Sequence, residues 1–197
     1  MKAKLKDIIN ISTGSYIPAK DKIDARDEKS NLFILNVKDF DDKGNYLNTA
    51  NEIKKHAQKN YTFLNKDQVL FSIRGKFKAS LSPKNEGKQF IASEAFLIFD
   101  LFNDQIDKEY LVWILNSKKI QHQLESIALG NNRLLFLNID IVKNLTIPLI
   151  PLEKQKSIMQ LYKLHEKEID LSEKILAKKK IWMQEKMDSL VQNTKQN

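Results

Sequence analysis

The alternation of apolar and polar residues divides the chain into two parts. Residues 1–150 carry short apolar runs separated by turn residues, a pattern that predicts a mixed, mostly-β domain. Beyond Pro151, apolar residues recur at steps of three and four without any glycine or proline, which predicts one long amphipathic helix over residues 151–197. The pattern therefore predicts an α+β protein whose two parts meet near residue 150.

Apolar runs and turn residues place the elements of the first part. The expected strands are Leu32–Val37, Tyr61–Leu64, Val69–Ile73 and one or two within Phe90–Phe102. Asp41–Asn45 reads as a hairpin turn. Helical spacing from Asp107 to about Leu129 predicts a helix, and Gly130 is a candidate for its C-cap.

The junction at residues 146–158 is the most informative segment of the chain. Pro148 and Pro151 end an apolar extended run, and a polar helix opens directly after them. That helix is about 50–60 Å long, so a small domain cannot cover its apolar stripe along the whole length. We therefore expect it to pair with a partner helix, although His165 and Lys179 interrupt a strict seam.

Composition narrows the class of protein. The chain has 197 residues, 42% of them hydrophobic and 29% charged, and contains no cysteine, which excludes disulfides and thiolate metal sites. The first residues lack the apolar region of a signal peptide, and no apolar run reaches the ~18 residues of a membrane span. We expect a cytoplasmic protein. The net charge of +8 favours polyanionic partners, nucleic acid first.

Catalytic signatures are hard to find in this sequence. The three histidines lack ligand spacing, and there is no phosphate-binding loop, dinucleotide turn or nucleophile elbow. We therefore expect no cofactor and no catalytic or metal-binding residue. Two Glu-x-Lys triplets, which begin at Glu52 and Glu86, keep a metal-dependent nuclease open as an alternative, although chance explains such triplets in a lysine-rich chain.

The strongest candidate for binding is a basic segment after the Val69–Ile73 strand. Arg74, Lys76 and Lys78 alternate, so in an extended segment they would share one face. Arginine suits guanine edges or phosphate, lysine suits phosphate, and Gly75 permits close backbone approach. The alternative is a solvated edge strand that its lysines protect from aggregation.

Two further loops carry candidate binding residues. Gly130 is followed by Asn131, Asn132 and Arg133, whose amides and guanidinium suit base or phosphate contacts, although a simple helix-ending loop has the same composition. The other loop is the turn with Gly14 and Ser15, and basic residues follow it at Lys20, Lys22 and Arg26.

The order of these pieces resembles a target-recognition domain and conserved helix of the specificity (S) subunit of type I restriction-modification enzymes. The resemblance spans the whole chain and rests on Leu5–Ile8 with Ser12–Gly14, Leu64–Gly75, Tyr110–Ser117, Gly130–Arg133 and Ile147–Ile158. The chain departs from the family pattern at Asp67-Gln68, Ile150-Pro151 and Lys154, all changes that a turn or a helix start tolerates.

The resemblance implies a protein that recognises DNA but performs no chemistry. A whole S subunit has two recognition domains and two long helices, so this chain is similar to half of one. Two copies would pair as a homodimer through antiparallel helices and read a bipartite, palindromic site. The family's methyltransferase (M) and restriction (R) subunits supply the catalytic sites. The alternative from a different class is a structural adaptor that binds protein and oligomerises through its helix.

Overall fold

The computed structural model describes residues 1–18, 30–53, 61, 63–84, 87–102, 104–131 and 136–193. Contacts divide the chain into two compact units, Met1–Gln155 and Lys156–Asn197. The strands are β1 (Lys2–Lys4), β2 (Ile9–Thr13), β3 (Leu32–Leu35), β4 (Asn51–Glu52), β5 (Val69–Ser72), β6 (Ala79–Leu81), β7 (Gln89–Ala92), β8 (Phe96–Leu101) and β9 (Thr146–Pro148). The helices are α1 (Lys108–Leu115), α2 (Lys118–Asn131), α3 (Ile139–Lys143) and α4 (Leu152–Asn193).

The larger sheet of the first unit is antiparallel, in the order β2-β8-β5-β6. All four residues of β5 are buried, which explains its continuous apolar run. Phe71 of β5 stacks on Phe99 of β8 with ring centroids 5.7 Å apart. Both rings are fully buried, and burial of a phenylalanine side chain contributes about 1.5–3 kcal/mol.

A second sheet, ordered β4-β3-β7, packs its apolar residues into the same core. Strand β3 pairs in parallel with β7 and antiparallel with β4. One buried cluster joins this sheet to the larger one, with Leu35 and Phe90 from the second sheet and Leu70 and Phe96 from the first. The predicted strand Tyr61–Leu64 is wrong as regular structure: its described residues lie outside any strand, although Leu64 N donates to Phe90 O of β7 at 2.8 Å.

The predicted continuous helix from Asp107 to Leu129 is broken at Asn116 and Ser117. The Asn116 side chain gives the physical reason, because it pairs with the backbone of β6. Its Oδ1 accepts from Ala79 N at 2.9 Å and its Nδ2 donates to Ala79 O at 2.8 Å. The end of α1 thus covers the outer edge of the larger sheet, a common way to protect an edge strand.

The junction before α4 is fixed by a buried glutamine. Strand β1 pairs with β9, so the first residues lie beside the segment that leads into the helix. Gln155 in the first turns of α4 is fully buried. Its Oε1 accepts from Asp107 N at 2.8 Å, and its Nε2 donates to Gln105 O at 2.8 Å and Ile150 O at 2.7 Å. One amide therefore satisfies three backbone groups of the first unit.

The second unit is the remainder of α4, from Lys156 onward. Large apolar side chains along it are exposed, among them Leu164 at 66%, Ile181 at 61% and Trp182 at 57%. Ion pairs along the helix are local, such as Lys174 with Asp170 at 2.6 Å. The long C-terminal helix and the α+β class predicted from the sequence are confirmed. Among the described residues, no helix is long and apolar enough to cross a membrane.

Candidate functional site

The basic segment after β5 is a tight turn between β5 and β6. Ser72 N donates to Lys78 O at 2.8 Å, while the Ser72 hydroxyl donates to Lys76 O and accepts from Lys78 N. Phe77 is buried, whereas the Lys76 side chain is 70% exposed and the Lys78 side chain 26%. Gly75 has φ +73°, a conformation that glycine adopts without strain.

Lys76 and Lys78 share one carboxylate partner. The Asp42 Oδ1 lies 2.7 Å from Lys76 Nζ and 3.4 Å from Lys78 Nζ, and Lys78 Nζ also donates to Asp42 O. Asp42 sits in the Asp41–Asn45 turn, where Asp41 Oδ1 accepts from Lys43 N and Asn45 N at 2.8 Å each. The predicted hairpin turn is therefore present, and it places the Asp42 carboxylate beside Lys76 and Lys78.

The environment of Asp42 keeps it charged. The hydrogen bond from Lys76 lowers the pKa of the Asp42 carboxyl, and the charge of Lys78 lowers it further. An aspartate is already ionised at neutral pH, and the lowered pKa keeps Asp42 ionised into more acidic solution, so the two lysines face an anion throughout the neutral range. Beside them is a pocket of about 340 Å³ lined by Asp42, both lysines and the apolar side chains of Val37, Phe40 and Phe96.

Arg74 lies apart from the two lysines. Its Nη1 donates to Glu94 Oε1 at 2.9 Å, and its guanidinium carbon lies 5.9 Å from the centre of the Phe136 ring. The Arg74 side chain is still 54% exposed, so much of its donor fork faces solvent. The expectation that all three cations share one extended face is wrong for Arg74, because the positive φ of Gly75 turns the backbone between Arg74 and Lys76.

Gly14 and Ser15 meet the same corner of the unit as Arg74. Gly14 N donates to Phe96 O at 2.9 Å and Ser15 N donates to Ala92 O at 2.8 Å. A Cβ on Gly14 would lie 2.0 Å from Ser93 O, so only glycine fits. The turn Ser93–Ala95 between β7 and β8 thus lies beside Ser15 and also carries Glu94, the partner of Arg74.

Other predicted site residues have less structural detail. Lys20, Arg26, Asn132 and Arg133 lie outside the described residues. Asn131 is the last residue of α2, so the proposed C-cap Gly130 is inside the helix. Sequence reasoning missed Asp42 and Glu94, since nothing local marks an acid as the partner of a cation that is distant along the chain.

Glu52, the acid of the nuclease alternative, has a structural role. Its Oε1 accepts from Ser30 N at 2.5 Å and Asn31 N at 3.0 Å, which fixes the entry to β3. The second acid of that alternative, Glu86, lies outside the described residues. Within the described residues no group of three or more histidine or acidic side chains is arranged to hold a metal ion.

A model of a known protein family matches most of the chain. The family model "Type I restriction modification DNA specificity domain" matches residues 1–179. No curated protein sequence matches the chain.

Solved structures share the fold. The HsdS subunit from Thermoanaerobacter tengcongensis aligns with a TM-score of 0.61 and 15% identity, over 86% of this chain and 38% of that one. A structure from work on the complex assembly of the type I R-M system gives 0.62 and 17%, over 86% and 38%. The type-I restriction-modification S subunit from M. genitalium gives 0.55 and 15%, over 85% and 39%. The chain thus spans less than half the length of these structures, and at such identities the likeness shows the fold.

Proposed function

Because the chain belongs to the type I restriction modification DNA specificity domain family, we propose that it is the DNA-recognition subunit of a type I restriction-modification system. The family match over residues 1–179 is the observation that carries this proposal. The chain itself is non-catalytic and directs M subunits, and R subunits where present, to a bipartite DNA site. Glu52, an acid of the enzyme alternative, accepts hydrogen bonds from the backbone at the entry to β3, a structural role that favours recognition over that alternative.

The decisive experiment is selection of sequences from a randomised duplex library by the full chain, alone and with its co-expressed M subunit. We expect enrichment of one bipartite sequence and an affinity that falls steeply with salt, because lysine contacts to phosphate release counterions. Absence of any enriched sequence in both preparations would contradict the proposal and favour the protein-binding adaptor.

Arg74 and Lys76 are expected to differ in what they contact. The half-exposed guanidinium of Arg74 is held by Glu94 and Phe136, which suits it to a base edge, whereas Lys76 is suited to phosphate. Arg74→Ala should weaken binding to the selected sequence by about 1–3 kcal/mol and reduce the base preference at one position of that sequence. Lys76→Ala should weaken all sequences alike and reduce the salt slope by about 1. Equal loss on all sequences for Arg74→Ala would mark it as a phosphate contact instead.

Asp42 is expected to compete with DNA phosphate for the two lysines. Asp42→Asn removes that carboxylate, and because exposed ion pairs are weak, affinity for any duplex should rise only about two- to fivefold. Asp7→Asn, an exposed acid elsewhere in the unit, is the control for the change in net charge. Fluorescence anisotropy at fixed salt measures both variants. An equal gain in affinity for Asp42→Asn and Asp7→Asn would mean that DNA binding depends only on the net charge.

We further propose that α4 pairs with the α4 of a second copy. Ile175 is 54% exposed, and other large apolar side chains of α4, such as Leu176 at 55% and Trp182 at 57%, are exposed as well. Ile175→Asp should convert a dimer to a monomer in sedimentation or light-scattering measurements. Ala177→Asp is the matched control, because residues two apart on a helix point in different directions. A wild-type chain that remains monomeric in the presence of its M subunit would contradict the proposed dimer.

A further inference from the structure

A groove of about 500 Å³ lies in the first unit at the corner where Ser15 meets the Ser93–Ala95 turn. It is separate from the lysine pocket near Asp42. Its lining comes from four stretches of chain: the segment after β2, the end of β3, strand β4 and the β7–β8 turn. The side chains that matter are those of Ser15, Tyr16, Asn36, Asn51, Ser93 and Glu94.

The walls of this groove are fixed by backbone hydrogen bonds. Ser15 N donates to Ala92 O at 2.8 Å, and Ser93 N donates to Leu35 O at 3.0 Å. Asn51 pairs with Ile34 in the ladder between β4 and β3. The groove is therefore formed by strands and a tight turn, and a site on such elements holds its polar groups more precisely than one on long loops.

One wall carries a buried hydroxyl without a partner. Ser93 is 7% exposed, and among the described residues its Oγ makes no hydrogen bond. Buried polar side chains nearly always have a partner, so an orphan hydroxyl on a residue that lines a groove points to a ligand. A serine hydroxyl offers one donor and two acceptor positions.

The chemistry of the lining favours a ligand that donates hydrogen bonds. Glu52 and Glu94 both line the groove, and its described lining residues include no lysine or arginine. The bonds from Ser30, Asn31 and Arg74 all go to Oε1 of these acids, and a carboxylate accepts about four bonds in total. Acceptors therefore remain for a donor, whereas a phosphate would meet like charge.

We propose that this groove reads the exocyclic amino group of an adenine or a cytosine in the recognised DNA. Asparagine pairs with adenine, glutamate accepts from the cytosine amino group, and serine serves either base. Tyr16, 68% exposed at the groove, supplies an apolar face beside the base. The inference rests on the proposed function. Under this assignment Arg74 and the two lysines contact guanine or phosphate, and the groove contacts the bases that carry an exocyclic amino group.

The test repeats the library selection with Asn51→Ala and Ser93→Ala. Each should relax the preference at one position that is adenine or cytosine in the wild-type site, with affinity for that base reduced about five- to 100-fold. Asn10→Ala, an exposed strand asparagine outside the groove lining, is the matched control and should leave the selected site unchanged.

A base analogue separates reading from a structural effect. At the relaxed position, purine replaces adenine, or 2-pyrimidinone replaces cytosine, so that only the amino group is lost. The wild type should lose affinity on the analogue, and Asn51→Ala should show no further loss. The groove assignment would be overturned if the variants lost base preference only at positions that are guanine or thymine. It would also be overturned if Asn51→Ala lost as much affinity on the analogue as it does on the natural base. Failure of the wild type to select any sequence would instead contradict the proposed function itself.

Discussion

Replacement of Gln155 by alanine should lower the free energy of unfolding by about 3–5 kcal/mol, since it orphans Asp107 N, Gln105 O and Ile150 O. Each buried backbone group left without a partner costs about 1–3 kcal/mol. The loss exceeds any gain from the higher helix propensity of alanine, which is a few tenths of a kcal/mol. Asp107 is also the N-cap of α1, so the variant should loosen the start of that helix.

Gln160→Ala is the matched control for this variant. Gln160 lies on the same helix but is exposed, so its replacement should change the stability by less than about 0.5 kcal/mol. Urea titrations followed by circular dichroism and by tryptophan fluorescence, to which Trp113 in α1 and Trp182 in α4 both contribute, compare the two variants. A Gln155→Ala protein as stable as Gln160→Ala would mean that the three hydrogen bonds contribute nothing net.

Gly14→Ala is expected to be at least as damaging, for a steric reason. The new Cβ would lie 2.0 Å from Ser93 O and 2.8 Å from Ala92 O, both backbone atoms that cannot rotate away. The strand must therefore shift and give up the bonds from Gly14 N to Phe96 O and from Ser15 N to Ala92 O. We expect a loss of about 3–5 kcal/mol, at the upper end of what single substitutions cost.

Gly87→Ala supplies the comparison for Gly14→Ala. Gly87 has φ +76° with open space around its Cβ position, so an alanine there meets only backbone strain of about 1–2 kcal/mol. Thermal melts that rank Gly87→Ala below Gly14→Ala in stability would contradict the steric argument. The comparison also matters for function, because lost DNA binding in Gly14→Ala reflects misfolding and does not identify Gly14 as a contact.

The sequence pattern predicted those elements whose burial is local in the chain. The strands β3, β5, β7 and β8 follow from their apolar runs, and α4 follows from its 3.6-residue period and the prolines before it. The break between α1 and α2 was missed because it depends on Asn116 pairing with Ala79, a contact that spacing along the chain does not encode. For the same reason the sequence does not reveal that the backbone of Ser93 requires a glycine at position 14, and the DNA-binding role of Gly14 stays a prediction.

The candidate site was predictable by residue type but not by arrangement. The cations at Arg74, Lys76 and Lys78 were visible in the sequence. Their acidic partners were not, because Asp42 and Glu94 reach them only after the strands assemble. The groove at Ser93 left no local signal at all, since its lining is drawn from four separate stretches of chain.

The pairing of β1 with β9 has a consequence for how the protein is made. Lys2–Lys4 and Thr146–Pro148 form one sheet, so β1 remains without its partner strand until β9, at the other end of the unit, has left the ribosome. Closing so large a loop is among the slower steps of folding. Because the ribosome exit tunnel holds the most recently made segment, β1 and β9 can pair only after part of α4, with its exposed apolar side chains, has already been synthesised.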